Sequence, residues 1–333
     1  MGTENPLHGT VDSTDADALA QNLIHEAYEK MKETKPGEAL ECLEQALRAD
    51  YTQQEALYAL KCLNWWLEQI KNFDNTADAY DPYSKGNFLL SQWKSYYGFL
   101  DLVGNVYDRC QYAVKRFVYG LALQNFIDAV SDGSMRHDPG LLEQIGRCYK
   151  GMGSYEEALD YLKQAVRFKQ EDAAAISTLA DIYALLGETK AAKALFREAF
   201  FINPQAVDLY NLESDLILKL IGHVAGMGYT GAELREWIPV YGAVLGIFTV
   251  KRALKPAEVG RLKQQIFDLE SELRGSRKEE NLLAPALLNR YFRLMDHYES
   301  ADGGNDLRSH ALIDEIKLKI KVIKPVIFER YMS

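Results

Sequence analysis

The apolar positions between residues 142 and 204 recur with a fixed period. Seven positions of the first half return in the second half, each 34 residues later. Within each half, large side chains spaced three and four residues apart fall on one helical face, with a small residue among them. The matched sets are Leu142, Ile145, Gly146, Tyr149, Ala158, Leu162, Ala165 and Ile176, Leu179, Ala180, Tyr183, Ala192, Phe196, Ala199.

Turn signals divide each half into two helices. Gly153 suits the positive φ of a tight turn, and Ser154 with Glu157 forms a capping-box pattern for the helix that follows. Pro204 cannot continue a helix interior and ends the second half. A single helical hairpin cannot bury its own apolar face, so we expect the hairpins to stack on their neighbours.

These residues resemble the tetratricopeptide repeat family, although both units lack the first Trp of its pattern. The resemblance implies an all-α fold, a right-handed superhelix of stacked helical hairpins, followed here by an additional C-terminal helical region. It also implies a protein that binds partners and does no chemistry. The residues that carry it are Leu142-x2-Ile145-Gly146-x2-Tyr149 with Ala158-x3-Leu162, and Ile176-x2-Leu179-Ala180-x2-Tyr183 with Ala192-x3-Phe196 and Pro204.

Weaker units precede this pair. Residues 20–53 carry the second-helix signature Ala39-x3-Leu43-x2-Ala46. The next unit is degenerate, because residues 72–86, rich in Asp, Asn, Tyr and Gly, predict an interruption loop. In the third unit Ala122-x3-Phe126-x2-Ala129 lies 36 residues before its counterpart, so we expect that unit to be stretched by two residues near its turn.

The predicted organisation has three parts. Residues 1–15 are polar and predict a flexible tail. The array covers residues 16–206, with units near 20–53, 54–102, 103–138, 139–172 and 173–206. A capping helix at 207–222 opens the C-terminal helical region, 207–333. Its last segment, 316–322, alternates like a strand but also fits a helix, and since no other strand offers pairing we predict a helix bent near Pro325.

Charge and cysteine content narrow the class of protein. The 333 residues include 48 acidic and 38 basic side chains, giving a net charge of −10, which argues against a general nucleic-acid binder. Residues 207–333 hold 18 of each sign, so the acidic excess lies in residues 1–206. Buried free thiols are the simplest account of the cysteines, with a disulfide left open. Free thiols favour a reducing, cytoplasmic location, although a removed leader peptide would look the same. The cysteines are Cys42, Cys62, Cys110 and Cys148.

The sequence gives little support for a nucleotide-binding, metal-binding or catalytic site. Residues 226–231 match G-x-G-x-x-G, but a helix precedes them where nucleotide binding needs a strand, so we expect a loop. The sequence contains no H-E-x-x-H, G-x-S-x-G or G-x-x-x-x-G-K-[ST] motif. We therefore expect no enzyme, no cofactor and no metal.

The segment 238–250 is almost entirely apolar, with Gly242 and Gly246 spaced as G-x-x-x-G. Thirteen residues are too few to span a bilayer. We predict a closely packed buried helix, with a membrane-surface or dimer contact as the alternative.

In the tetratricopeptide family the concave groove is lined by repeat positions two, five, nine, twelve and thirteen. The resemblance carries these positions onto a mixed polar surface, which suits a polar peptide or helix of another protein held by charge-assisted hydrogen bonds. Arg147 is the strongest candidate, since Arg is enriched at binding hot spots. Glu143 replaces the first lysine of the clamp for acidic C-termini and disfavours that subgroup. The predicted groove is Tyr107, Gln111, Lys115, Glu143, Arg147, Lys150, Ser177 and Asp181.

Two functions follow. The first is an interaction scaffold that brings a protein into a complex through the groove. The alternative is a structural or homo-oligomerising subunit that assembles through its C-terminal helices, at a membrane surface in one version.

Overall fold

A computed structural model describes residues 13–131, 137–248, 253–275, 280–301 and 307–332. Across these residues the chain forms α-helices and two short 3-10 helices, with no strand, so the all-α prediction is confirmed. The chain divides into two compact units, residues 1–158 and 159–333. This division falls within a helix, whereas the division predicted at residue 206 follows the repeat period.

The N-terminal unit begins with a helical hairpin. Pro36 opens its second helix, a position where the missing N–H is harmless. Small and large apolar residues such as Ala27 and Leu43 are fully buried there. The first helix begins inside the predicted tail, and residues 1–12 lie outside the described residues. The helices are α1 (Ser13–Lys32), α2 (Pro36–Ala49), α3 (Gln54–Asp74), α4 (Pro82–Ser91), α5 (Trp93–Val103), α6 (Asp108–Ser131) and α7 (Pro139–Gly151), followed by α8 (Tyr155–Phe168), which crosses the division.

The interruption predicted at 72–86 is shorter than expected. Only residues 75–81 separate α3 from α4, and the prediction was wrong because it overlooked a helix start. Asp81 caps α4 by accepting hydrogen bonds from the N–H groups of Tyr83 and Ser84 at 3.3 and 3.1 Å, and Pro82 follows at the first helical position. Gly86 therefore belongs to a helix and packs against Phe126 of α6.

The unit predicted at 103–138 contains one continuous helix, α6, where we expected a hairpin. The prediction was wrong about the turn. Residues 108–131 contain no proline, and their single glycine, Gly120, serves close packing: a Cβ there would lie 2.9 Å from the Thr34 side chain. The 24-residue helix is therefore uninterrupted.

The two clear repeats form helix–turn–helix units as predicted. The second comprises α9 (Ala173–Leu185) and α10 (Thr189–Ile202). Gly153 and Gly187, one period apart, both adopt φ +82° in the turns. Asp138 and Asp172, also one period apart, cap α7 and α9 through backbone N–H groups at 2.7 and 3.1 Å. The period thus extends to caps and turns.

The C-terminal unit continues from α10. The helix predicted to start at residue 207 starts later, because two 3-10 helices, Pro204–Ala206 and Leu209–Asn211, come first. Asp208 favours this by accepting a hydrogen bond from the N–H of Tyr210, which turns the chain locally. The remaining helices are α11 (Asp215–Ala225), α12 (Gly231–Val244), α13 (Pro256–Gly275), α14 (Glu280–Ala301), α15 (Leu307–Ile323) and α16 (Pro325–Met332).

The ambiguous final segment is helical, as predicted. Ile313, Ile316 and Ile320 of α15 are buried on one face, and Pro325 starts a separate helix. The sequence also predicts a charged connection at 275–280 and a glycine-containing loop at 302–305. Most of the first segment and all of the second lie outside the described residues.

The described part of the apolar segment, residues 238–248, contributes to the core of the C-terminal unit. Ile238 and Val240 are fully buried in α12. Gly242 admits the Phe248 ring, which would lie 2.3 Å from an added Cβ, and Gly246 ends the helix with φ +65°. The G-x-x-x-G spacing therefore serves close packing and a turn. Within the described ranges, no helix has the length and apolar character needed to cross a bilayer.

A buried charge joins the repeat hairpin to the C-terminal helices. Arg197 of α10 forms an ion pair with Asp296 of α14 and donates a hydrogen bond to the Phe248 carbonyl. Burial lowers the pKa of Arg197 to about 10. Beside it, Glu198 pairs with Arg293. Removing one member of such a pair leaves a buried charge without its counter-ion.

Candidate functional site

The repeat positions that line the groove can be counted on α1 and α3, since the first two units start at residues 20 and 54. On α3 they are Glu55, Tyr58, Cys62, Trp65 and Trp66. In the N-terminal unit these side chains contact α5 and α6 of the same chain. The groove face of the first hairpins is therefore occupied from within.

Polar contacts fix α6 on α3. Arg109 pairs with Glu55 at 2.8 Å, although the arginine side chain is mostly exposed. Gln111 donates hydrogen bonds to the hydroxyls of Tyr58 at 2.8 Å and Tyr96 at 3.1 Å. Because Tyr58 and Tyr96 are buried, these bonds satisfy hydroxyl groups that water cannot reach.

The same helix contacts the groove positions of α1. The Tyr28 hydroxyl donates to Glu55 at 2.9 Å and is within hydrogen-bond reach of the Cys110 thiol. Burial raises the pKa of Tyr28 far above its ordinary value, and the nearby Cys110 and Glu55 add to this effect. One turn further on, the Lys32 ammonium lies 5.5 Å from the centre of the Tyr112 ring.

Aromatic rings of α5 cover the remaining groove positions of α3, Trp65 and Trp66. Trp65 of α3 lies 5.2 Å from Tyr96 and 5.8 Å from Phe99, measured between ring centres. Trp66 lies 5.0 Å from Trp93. Such pairs bury large areas and favour tilted or edge-on geometry. These ring contacts therefore pack α5 against Trp65 and Trp66, which are the last two groove positions of α3.

Two free thiols meet inside the contact between α3 and α6. Cys62 and Cys110 are fully buried. The hydrogen bond from the Cys110 thiol, joined by those from Tyr96, Tyr58 and Gln111, lowers the pKa of Cys62 to about 7 against the opposing effect of burial. The same pairing, with burial, raises the pKa of Cys110. The prediction of buried free thiols is confirmed for all four cysteines.

Several predicted groove residues are buried. Glu143 and Lys150 of α7 are both buried. In the C-terminal unit, Ser177 is buried and donates a hydrogen bond to the Ala174 carbonyl at 2.9 Å. Their accessible surface is too small for a partner to contact them extensively.

Asp181 supports the next element of the C-terminal unit. Its fully buried carboxylate accepts hydrogen bonds from the N–H groups of Glu213 at 2.8 Å and Ser214 at 2.9 Å. These groups immediately precede α11, which begins at Asp215. The carboxylate thus satisfies backbone donors at a helix start and fixes the chain that enters α11.

Four predicted residues remain partly exposed, all in the N-terminal unit: Gln111, whose contacts are described above, and Tyr107, Lys115 and Arg147. The Tyr107 ring lies 5.2 Å from that of Tyr58, next to the Gln111 contact. Lys115 follows on α6, and Arg147 lies on α7, which packs against α6. Their cationic side chains and the tyrosine hydroxyl can bind carboxylate and carbonyl oxygens.

Sequence reasoning missed the groove positions of the first two units. The signal was available, because counting the period from residues 20 and 54 selects Tyr28, Glu55, Tyr58 and Cys62. It also missed Arg109, whose role depends on contact with a residue 54 positions earlier. No repeat pattern predicts that contact.

The G-x-G-x-x-G motif connects two helices. Gly226 follows α11 directly and Gly231 begins α12, so a helix precedes the motif. Gly228 adopts φ +94° in the turn. Among the described residues, no group of three or more His, Cys, Asp or Glu side chains could hold a metal ion.

Paired helices of equal length, with turns and caps at a constant interval, define a helical-repeat protein. Residues 150–216 match the sequence model of the tetratricopeptide repeat, so the chain is a tetratricopeptide repeat-containing protein. No curated protein sequence matches the chain. Tetratricopeptide repeats are generally non-catalytic interaction modules, and the match supports a role in protein–protein interaction.

Proposed function

We propose that the protein is a non-enzymatic interaction scaffold that binds a peptide or helical segment of another protein on the part of the first-helix face that α6 and α7 form in its N-terminal unit. The observation that carries the proposal is the contact of α6 with α1 and α3. The groove positions of these repeats already hold a helix, through Arg109 on Glu55 and Gln111 on Tyr58. A partner segment would use the same kinds of contact.

The proposed contact surface consists of three partly exposed residues of the predicted groove, Tyr107, Lys115 and Arg147. The two cations favour a segment that carries carboxylates or free carbonyl groups. Glu143 and Lys150 are buried on α7, the helix that carries Arg147. Partner recognition by a few residues is the usual pattern in protein interfaces.

The test compares Arg147→Ala with Arg48→Ala. Arg48 lies on α2 of the same unit with a side chain 77% exposed, so its removal controls for the loss of one positive charge. Each form captures proteins from native extract, and quantitative mass spectrometry identifies what the wild type enriches. Calorimetry with the purified partner then measures Kd. We expect Arg147→Ala to weaken binding about tenfold or more, or at least ~1.4 kcal/mol, and Arg48→Ala to leave it unchanged. A loss below about 0.5 kcal/mol for Arg147→Ala contradicts the groove assignment.

A further inference from the structure

The C-terminal unit carries an open groove between three helices. Helices α13 and α15 both pack against α14, whose inward side chains form the floor. The groove consists of two parts of about 270 and 480 Å³, and Tyr291, Glu270 and Lys319 line both. Lys319 and Glu270 meet across it at 3.1 Å. A further helix laid along the groove would complete a four-helix arrangement.

Both walls of the groove carry large apolar side chains that are exposed. Leu318 and Val322 of α15 are 63% and 84% exposed, and Phe267 of α13 is 62% exposed. Helix α15 already buries an inner apolar face made of isoleucines. A helix that packs only on its own chain has a polar outer face, so a second apolar stripe indicates a docking surface.

We propose that a second copy of this chain covers the groove, with the two α15 helices antiparallel and crossing near Leu318. In this arrangement the stripe of Leu318 and Val322 from each copy enters the groove of the other. Such a contact is closed and two-fold symmetric, as in most homodimers. It goes beyond the proposed partner binding, because it involves a different unit and a different occupant.

The order of charges along α15 favours a second copy in one direction. Glu315 precedes Leu318 by three residues and Lys321 follows it by three, while Lys317, next to Leu318, pairs with Asp314 of its own helix. Two antiparallel helices that cross at Leu318 place each acidic turn beside the basic turn of the other copy, since residues 315 and 321 lie about 4.5 Å on either side of the crossing point. A parallel pair would place like charges together.

The charge of the whole region agrees with self-contact. Residues 207–333 contain 18 acidic and 18 basic side chains. The region therefore has no net charge, and two copies of it experience no net electrostatic repulsion. Residues 1–206 hold the entire net charge of −10 and would oppose a symmetric contact. The exposed apolar stripe lies in the neutral part.

Analytical ultracentrifugation of the full chain over a concentration series tests the proposal. We expect wild type to show a monomer–dimer equilibrium and Leu318→Glu/Val322→Glu to remain monomeric. The control, Leu102→Glu, changes a leucine of α5 that is 87% exposed and should dimerise like wild type. Because the substituted side chains are exposed, circular dichroism should show a folded variant. A wild type that stays monomeric at every concentration, with the groove left to another helix or an apolar ligand, overturns the proposal.

Cysteine cross-linking tests the geometry. In Leu318→Cys the two introduced thiols meet at the crossing point, and diamide accepts their two electrons and two protons as the disulfide forms. This requires Cα atoms within about 7 Å. The native cysteines are buried, so wild type should not cross-link. A covalent dimer from Leu318→Cys and none from Leu102→Cys supports the antiparallel crossing. Equal yields from both, or none from either, contradict it.

Discussion

Gln111 of α6 donates a hydrogen bond to the hydroxyl of Tyr58 in α3, 53 residues earlier in the chain, at 2.8 Å. Both residues occupy repeat positions that line a groove in related arrays, and here they contact each other. A side chain predicted to bind a partner therefore binds its own chain. The first-helix face of the N-terminal hairpins is the surface on which α6 packs.

Replacing Gln111 with alanine should destabilise the N-terminal unit. The change removes the donor from two buried tyrosine hydroxyls, which costs about 1–3 kcal/mol. Urea unfolding followed by tryptophan fluorescence measures the effect, since three of the four tryptophans belong to the neighbouring cluster. The control Gln264→Ala removes only an exposed contact with Asp268 on α13, and we expect less than about 0.5 kcal/mol. Equal effects of both changes would contradict the structural role of Gln111.

Asp181 provides a second prediction, in the C-terminal unit. Asp181→Ala leaves the N–H groups of Glu213 and Ser214 without their acceptor, and we expect a loss of about 1–3 kcal/mol in the free energy of unfolding. Asp215→Ala is the matched control, because its pairing with Lys219 is almost fully exposed and contributes little. Thermal unfolding by circular dichroism compares the two. Unchanged stability in Asp181→Ala would contradict the capping role.

Two glycines in neighbouring helices should respond to alanine with opposite signs. At Gly86 the new Cβ would lie 2.5 Å from the Phe126 ring, and such overpacking costs about 1–3 kcal/mol. At Gly98, in α5, the Cβ meets no atom within 4 Å, and helix propensity should stabilise the protein by about 0.5–1 kcal/mol. The melting temperature should fall for the first variant and rise for the second. An unchanged or higher melting temperature in Gly86→Ala would contradict the close contact at Gly86.

Replacing Glu236 with glutamine should give a gain in stability that depends on pH. Burial raises the pKa of this carboxyl above its ordinary value, and the hydrogen bond from Gln205 and the charge of Arg290 offset only part of the shift. The protonated Glu236 carboxyl contributes its full stability below the unfolded pKa of about 4.3. This contribution is lost as pH rises through the raised pKa of the folded state. Glu236→Gln should therefore be more stable than wild type at neutral pH, with the advantage shrinking on acidification.

The measurement for this prediction is the melting temperature at a series of pH values, with Glu272→Gln on the exposed face of α13 as the control. The control curve should run parallel to that of wild type. A Glu236→Gln variant that is less stable than wild type at neutral pH would show that the charged form is favoured in the fold.

The clear repeats could be predicted because their determinants are local. Apolar spacing, the turn glycines Gly153 and Gly187 and the caps Asp138 and Asp172 all follow one 34-residue interval. Helix α6 could not be predicted in the same way. The signature that starts at Ala122 fits two structures equally well: a separate second helix, or the end of one long helix. Helical periodicity alone does not indicate where a helix begins.

The candidate site was predictable only in part for a related reason. Repeat position selected Tyr107 and Gln111 as residues of a partner-binding groove, and in the structure both contact Tyr58 of α3. What covers that face depends on contacts between residues about 50 positions apart. These contacts depend on tertiary packing, and no local pattern encodes them.

The ion pair between Arg197 and Asp296 affects where the repeats can be separated from the rest of the chain. A fragment trimmed at residue 206, where the sequence signature ends, keeps the cation of α10 and discards the carboxylate that neutralises it, together with the Phe248 carbonyl. The same cut uncovers apolar side chains of α10 such as Phe200, which packs against Phe248. Such a piece would match the repeat pattern yet expose apolar surface and aggregate. A stable fragment on this side of the chain therefore has to extend well past the last repeat.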